Sequence, residues 1–107
     1  MAEVINKEQG LARLGGNMAL YKKLLVSFTA NTYIGQIKEE LSGGDLDTAQ
    51  KTVHTLKGVS ANLSLDKINR YSVALELNLK NSEPYTENIE FLENSINETL
   101  TAIANLE

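Results

Sequence analysis

Apolar residues in this chain return every three or four positions, and no segment sustains a return at every second position. The first rhythm gathers side chains on one face of an α-helix, whereas the second would mark a half-buried strand. From Asn17, which can cap a helix, Leu20, Tyr21, Leu24, Leu25 and Phe28 form one such stripe. The apolar phase then shifts to Ile34, Ile37 and Leu41 across a stretch containing Thr32 and Gly35. That shift predicts one long helix over about 17–42 bent near 31–35, or two helices. Gly43-Gly44 ends this element and Asp45 caps the next. Leu46, Ala49, Val53, Leu56, Ser60 and Leu63 make the seam of a helix over about 46–62. Ser64 or Asp66 opens another, with Leu65, Ile68, Ser72, Leu75 and Leu79 as its inner stripe. Residues 81–85, around the single proline Pro84, form a turn. The last helix carries Tyr85, Ile89, Leu92, Ile96, Leu100, Ile103 and Leu106. A short helix over about 6–14, with Asn6 at its N-cap and Gly15-Gly16 at its end, precedes the rest. Short connections between long amphipathic helices make antiparallel neighbours. The pattern therefore predicts an all-α fold: an antiparallel up-and-down four-helix bundle with a short additional N-terminal helix.

The length of 107 residues suits one domain over 1–107, and 42% apolar residues suffice for a globular core. Cysteine is absent, which excludes disulfides, thiolate metal sites and cysteine nucleophiles. The net charge is −4 and no basic run exceeds Lys22-Lys23, so the chain lacks the basic stripe that nucleic acid requires. No apolar run approaches the ~18–20 residues of a membrane span, and the N-terminus lacks the order of a signal peptide. A cytoplasmic protein without direct membrane contact is expected.

The single histidine, His54, sits in the stretch "TVHTLKGVSANLS" at 52–64. At about 100° per residue it points roughly 140° away from the apolar seam, together with Gln50, Lys57, Gly58 and Ala61. Its imidazole is therefore expected at the surface. Lys57, three residues on, would repel a metal cation but would neutralise the oxygens of a phosphoryl group on the ring. Gly58 at mid-helix weakens the helix by about 1 kcal/mol relative to alanine. Together with Ala61 it leaves the surface around the ring bare, so that another protein can bring a reactive atom up to the nitrogen. Imidazole is nucleophilic when neutral and can form a covalent phosphoramidate. A metal-binding bundle is disfavoured, because one histidine and no cysteine make a poor ligand set. No GxGxxG or GxxxxGK[ST] motif is present, so the chain is not expected to phosphorylate itself from ATP.

The segment "AQKTVHTLKGVSANLSLDKINRYSVALE" resembles the histidine phosphotransfer (HPt) domain family of phosphorelays. The family pattern is a histidine, a variable residue, an apolar residue, lysine and glycine, followed by small residues. Here these are His54-Thr55-Leu56-Lys57-Gly58, then Ser60 and Ala61. Ile68 and Ala74-Leu75-Glu76 match the downstream part, and "GLARLGGNMALYKKLLVSF" is similar to the opening of HPt domains found in hybrid sensor kinases. The resemblance covers nearly the whole chain. It implies that His54 is the phosphoacceptor through Nε2, that Lys57 stabilises the phosphate, and that Gly58 gives clearance to a docking receiver domain. It implies further that Glu76 hydrogen-bonds the other ring nitrogen, and that Gln50 and Ala61 line the partner face. Helical spacing places Asn69, Val73, Glu76 and Lys80 on one side of the next helix, beside that face. Ser64 stands where the family often has glycine, and Val73 where some members carry a second histidine.

The function implied is that of a phosphocarrier. His54 accepts a phosphoryl group from a receiver-domain aspartate and passes it to another receiver domain. No cofactor is expected in this chain, since the magnesium belongs to the partner receiver, and a monomer is expected. The chain would be free-standing or the cytoplasmic C-terminal part of a membrane-anchored sensor kinase. Two rivals share these residues: a non-phosphorylated four-helix adaptor that docks receiver domains, and the phosphoacceptor domain of a chemotaxis-type kinase.

Overall fold

A computed structural model describes residues 3–29 and 33–105. Among these residues the secondary structure is entirely helical: α1 (Lys7–Arg13), α2 (Met18–Thr29), α3 (Tyr33–Ser42), α4 (Leu46–Asn62), α5 (Asp66–Lys80) and α6 (Thr86–Ala104). The stretch read as one bent helix or two contains α2 and α3. Residues 30–32, on which the expected bend falls, lie outside the described residues, as does Leu106. No helix among the described residues is long and apolar enough to cross a membrane.

The capping residues act as their chemistry dictates. Asn6, Asn17 and Asp45 each accept a backbone N–H three residues on, from Gln9, Leu20 and Thr48. Gly44, at φ +77°, reverses the chain after α3, with Gly44 N–H bonded to Leu41 O and Asp45 N–H to Glu40 O. Asp45 thus closes one helix and opens the next.

The turn between α4 and α5 departs from expectation. Neither Ser64 nor Asp66 caps α5; the capping position is Leu65, whose side chain cannot serve. Ser64 occupies the left-handed region at φ +56°, with its N–H bonded to Ala61 O and Leu65 N–H to Ser60 O. This is the position where glycine costs least, and a serine there is strained by roughly 1–2 kcal/mol. The N-terminal segment offsets the strain. Asn6 N–H donates to Ser64 O at 2.8 Å, and Ser64 Oγ bonds Gln9 Oε1 at 3.1 Å. Lys67 N–H, left over at the start of α5, donates to Glu3 O at 2.8 Å. A backbone carbonyl from the N-terminus therefore does what no side-chain cap does.

The core follows the predicted stripes where a helix is covered on that side. Every inner position assigned to α5 is buried, as are Ala49, Val53, Leu56, Ser60 and Leu63 of the α4 seam. Leu46 is exposed, because side chains in the first turn lean toward the helix N-terminus, here past the end of the core. On α2, Tyr21, Leu25 and Phe28 are buried while Leu20 and Leu24 are exposed. α2 packs chiefly on α1 and α6, so only a narrow strip of it is covered. Four buried hydroxyls bond back to their own helix: Thr52 to Thr48 O, Ser60 to Lys57 O, Ser95 to Leu92 O and Thr99 to Ser95 O.

Tyr21 ties the N-terminal helices to the bundle. Its ring lies directly under Gly10, and its hydroxyl donates to Leu63 O at 2.7 Å, at the end of α4. A Cβ at residue 10 would overlap the ring, so this glycine is required by packing. Gly10→Ala is expected to lower stability by about 1–2 kcal/mol, the overpacking penalty exceeding the gain in helix propensity. The check is urea denaturation; an unchanged or raised midpoint would contradict the packing argument.

Candidate functional site

Helix α4 turns His54 outward, with 67% of its side chain exposed. Opposite it, α5 presents Glu76, whose side chain is only 6% exposed. Glu76 Oε2 lies 2.8 Å from His54 Nδ1, and Glu76 Oε1 lies 2.6 Å from Lys57 Nζ. One nearly buried carboxylate thus holds two side chains that stand three residues apart on α4. The pairs His54–Glu76 and Lys57–Asn69 show that residue numbers rise along α4 as they fall along α5, so the two helices run antiparallel.

The protonation of this cluster follows from its surroundings. Burial pushes the Glu76 carboxyl up. The hydrogen bonds from Lys57 and His54, with the charges of Lys57 and Lys80, outweigh it and hold the group below its ordinary value. An ionised carboxylate only accepts hydrogen bonds, so His54 Nδ1 must carry the proton. In the neutral ring the lone pair is then on Nε2, the nitrogen not engaged by Glu76. The arrangement presents a nucleophile with its tautomer set by a partner on another helix.

The other residues singled out in the sequence divide into two groups. Gly58 and Ala61 are exposed beside His54, and Gln50 is half-buried. A Cβ at Gly58 would meet nothing within 4 Å, so neither packing nor backbone conformation calls for glycine there. Val73 is exposed on α5 rather than packed in the core, and Leu77, outside the set that spacing placed there, is exposed four residues on. Asn69 is not part of the open face: its Nδ2 donates to Lys57 O at 3.0 Å and reaches Ser60 Oγ at 3.4 Å, bracing α5 against α4.

Two features escaped the sequence reading. A shallow recess in front of the imidazole is lined by Gln50, Lys51, His54, Thr55, Glu76 and Lys80. Lys51 stands three residues before His54 and Lys80 four after Glu76, spacings that put each on the same face as its neighbour. Only the pairing of α4 with α5 shows that the two lysines share one recess. The strut formed by Asn69 likewise depends on that pairing.

A sequence model of the family described as the Hpt domain matches residues 26–105 of the chain. No curated protein and no solved structure matches it.

The Glu76 contacts make a pH-dependent contribution to stability. A carboxyl lowered in the folded state stabilises above its unfolded value, 4.5, and that contribution is lost as the pH falls through the lower folded value. Wild type is therefore expected to exceed Glu76→Gln in stability at about pH 7, with the gap narrowing toward about pH 3. Urea denaturation of both proteins across this range measures it; a gap independent of pH would show that Glu76 does not act as an ionised partner.

Proposed function

The chain belongs to the Hpt domain family, whose members carry phosphoryl groups on histidine, and from that premise we propose the carrier step itself. His54 takes a phosphoryl group from an aspartyl phosphate on one receiver domain and passes it to an aspartate on another. The observation that carries this reading is the contact of one buried carboxylate with both His54 Nδ1 and Lys57 Nζ. It leaves Nε2 as the free nucleophilic nitrogen, in reach of a partner.

In the transfer step, the Nε2 lone pair forms the N–P bond as the P–O bond to the aspartate breaks. The electron pair of that bond leaves on the aspartate carboxylate. The ring becomes positively charged while Nδ1 keeps its proton, and the Glu76 carboxylate against Nδ1 stabilises that charge. No proton has to be shed, so the step reverses readily when a second receiver aspartate attacks phosphorus. Magnesium on the partner receiver supplies the Lewis acid, and the carrier contributes an oriented nucleophile with nearby cations. Lys57 acts by holding Glu76 in place through their ion pair.

Gly58 and Ala61 give the receiver room to approach, and Gln50 with the exposed Val73 and Leu77 of α5 serve as docking contacts. An apolar patch rimmed by polar groups suits a transient interface. We read α2 with α3 as the first arm of an up-and-down four-helix bundle, α4, α5 and α6 as the other three, and α1 as the addition. The carrier is read as a single-domain, monomeric, cytoplasmic unit, consistent with the need to present one free face.

Incubation with a phosphorylated receiver domain is expected to place acid-labile, base-stable phosphate on wild type and none on His54→Gln. Equal behaviour of the two proteins would defeat the carrier reading and leave the receiver-docking adaptor. Gly58→Gln is expected to keep the fold, with transfer at least about tenfold slower, a change of about 1.4 kcal/mol in barrier. An unchanged rate would remove the access role from Gly58.

A further inference from the structure

The recess in front of His54 is walled by cations that the transfer step described above does not use. Lys51 and Lys80 line it with the imidazole, whereas Lys57 does not. Lys57 is already engaged, its ammonium 2.6 Å from Glu76 Oε1 and 30% exposed. Among the described residues neither Lys51 nor Lys80 belongs to an ion pair, and both are exposed. The geometry of the helix pair explains the convergence. Side chains on a helix lean toward its N-terminus, so the His54 ring leans toward Gln50 and Lys51. Because α5 runs antiparallel, the residue one turn beyond Glu76 lies opposite the same end of α4, and that residue is Lys80.

We propose that Lys51 and Lys80 form the phosphoryl-binding subsite on this carrier, while Lys57 acts through Glu76 as a positioning residue. The inference rests on His54 being the site that carries the group. A phosphoryl group on Nε2 brings up to two negative charges beside Glu76, whose own charge is already matched by Lys57. The positive charge gained by the ring offsets one of these, and Lys51 from α4 and Lys80 from α5, which both line the recess, are placed to balance the rest. The sensitivity of the Glu76 carboxyl to the charge of Lys80 places that ammonium within electrostatic range of the cluster. Gln50, which also lines the recess, adds an amide donor for a phosphoryl oxygen.

The test uses the whole chain loaded chemically with a phosphoramidate salt. Loading requires no receiver domain, and the chain has one histidine to take the group. The readout is the midpoint of the phosphoryl group's titration, followed by phosphorus NMR. Nearby cations favour the dianion and lower this midpoint, so the double variant Lys51→Ala/Lys80→Ala is expected to raise it by about one pH unit. The double arginine variant Lys51→Arg/Lys80→Arg keeps the charge and is expected to restore it. Lys57→Ala is expected to move the midpoint less than the double alanine variant. An unchanged midpoint in the double alanine variant, or a larger rise in Lys57→Ala, would overturn the assignment. Failure of transfer from a receiver domain to a protein that loads chemically would instead count against the carrier reading.

Discussion

A carboxylate buried between two helices must find charged or hydrogen-bonding partners, because an unpaired buried charge costs several kcal/mol. Glu76 finds both of its partners on one neighbour, α4, one helical turn apart. A slip of α5 along α4 by a single turn would strand the carboxylate and free both side chains. The pairing therefore sets the register of the α4–α5 hairpin, and the same contact sets the tautomer of the exposed ring. Asn69 repeats the constraint one and a half to two turns away, by bonding the carbonyl of Lys57.

The hairpin also depends on how its turn is held. Ser64 sits in a backbone region that glycine would occupy with less strain, and α5 begins without a side-chain cap. Both deficits are met by residues before and within α1: Glu3, Asn6 and Gln9. The tie from Tyr21 to Leu63 adds a fixed point at the same end of α4. The family match covers residues 26–105, so the residues that supply these ties precede it and those that receive them lie within it. They act on the hairpin's turn, and through the register they bear on the distance between His54 and Glu76.

Much of this was legible from spacing alone. The α5 stripe, the bounds of α4, and the caps Asn6, Asn17 and Asp45 follow from local rules that hold wherever a helix is covered on one side. The failures occurred where a neighbour decides the outcome. Leu20 and Leu24 have the right spacing, but α2 is covered only over a narrow strip. Ser64 is a good capping residue in isolation, yet here it is the left-handed residue of a turn. Two glycines that look alike in the sequence also differ: Gly10 is required by the ring of Tyr21, whereas Gly58 faces open space. At the site, His54 and Lys57 were visible from one helix, and Glu76 entered through a family pattern. The recess needed both helices in register before Lys51 and Lys80 could be seen to share it.

The glycine at 58 and the lysines at 51 and 80 divide the surroundings of the ring by function. Toward the C-terminal end of α4 the surface is bare, with Gly58 and Ala61 leaving room for a partner's backbone. Toward the N-terminal end it is cationic, on a chain whose net charge is −4. A receiver site that binds magnesium must be rich in carboxylates, since hard cations take oxygen ligands. On the proposed function, the unloaded carrier would meet such a site with an excess of positive charge beside the ring, which would favour encounter. On that reading, a phosphoryl group on Nε2 would itself largely balance that excess. The attraction to the donor site would then weaken at the moment when the carrier has to leave, and transient docking would follow from the same charges that are proposed to hold the phosphoryl group.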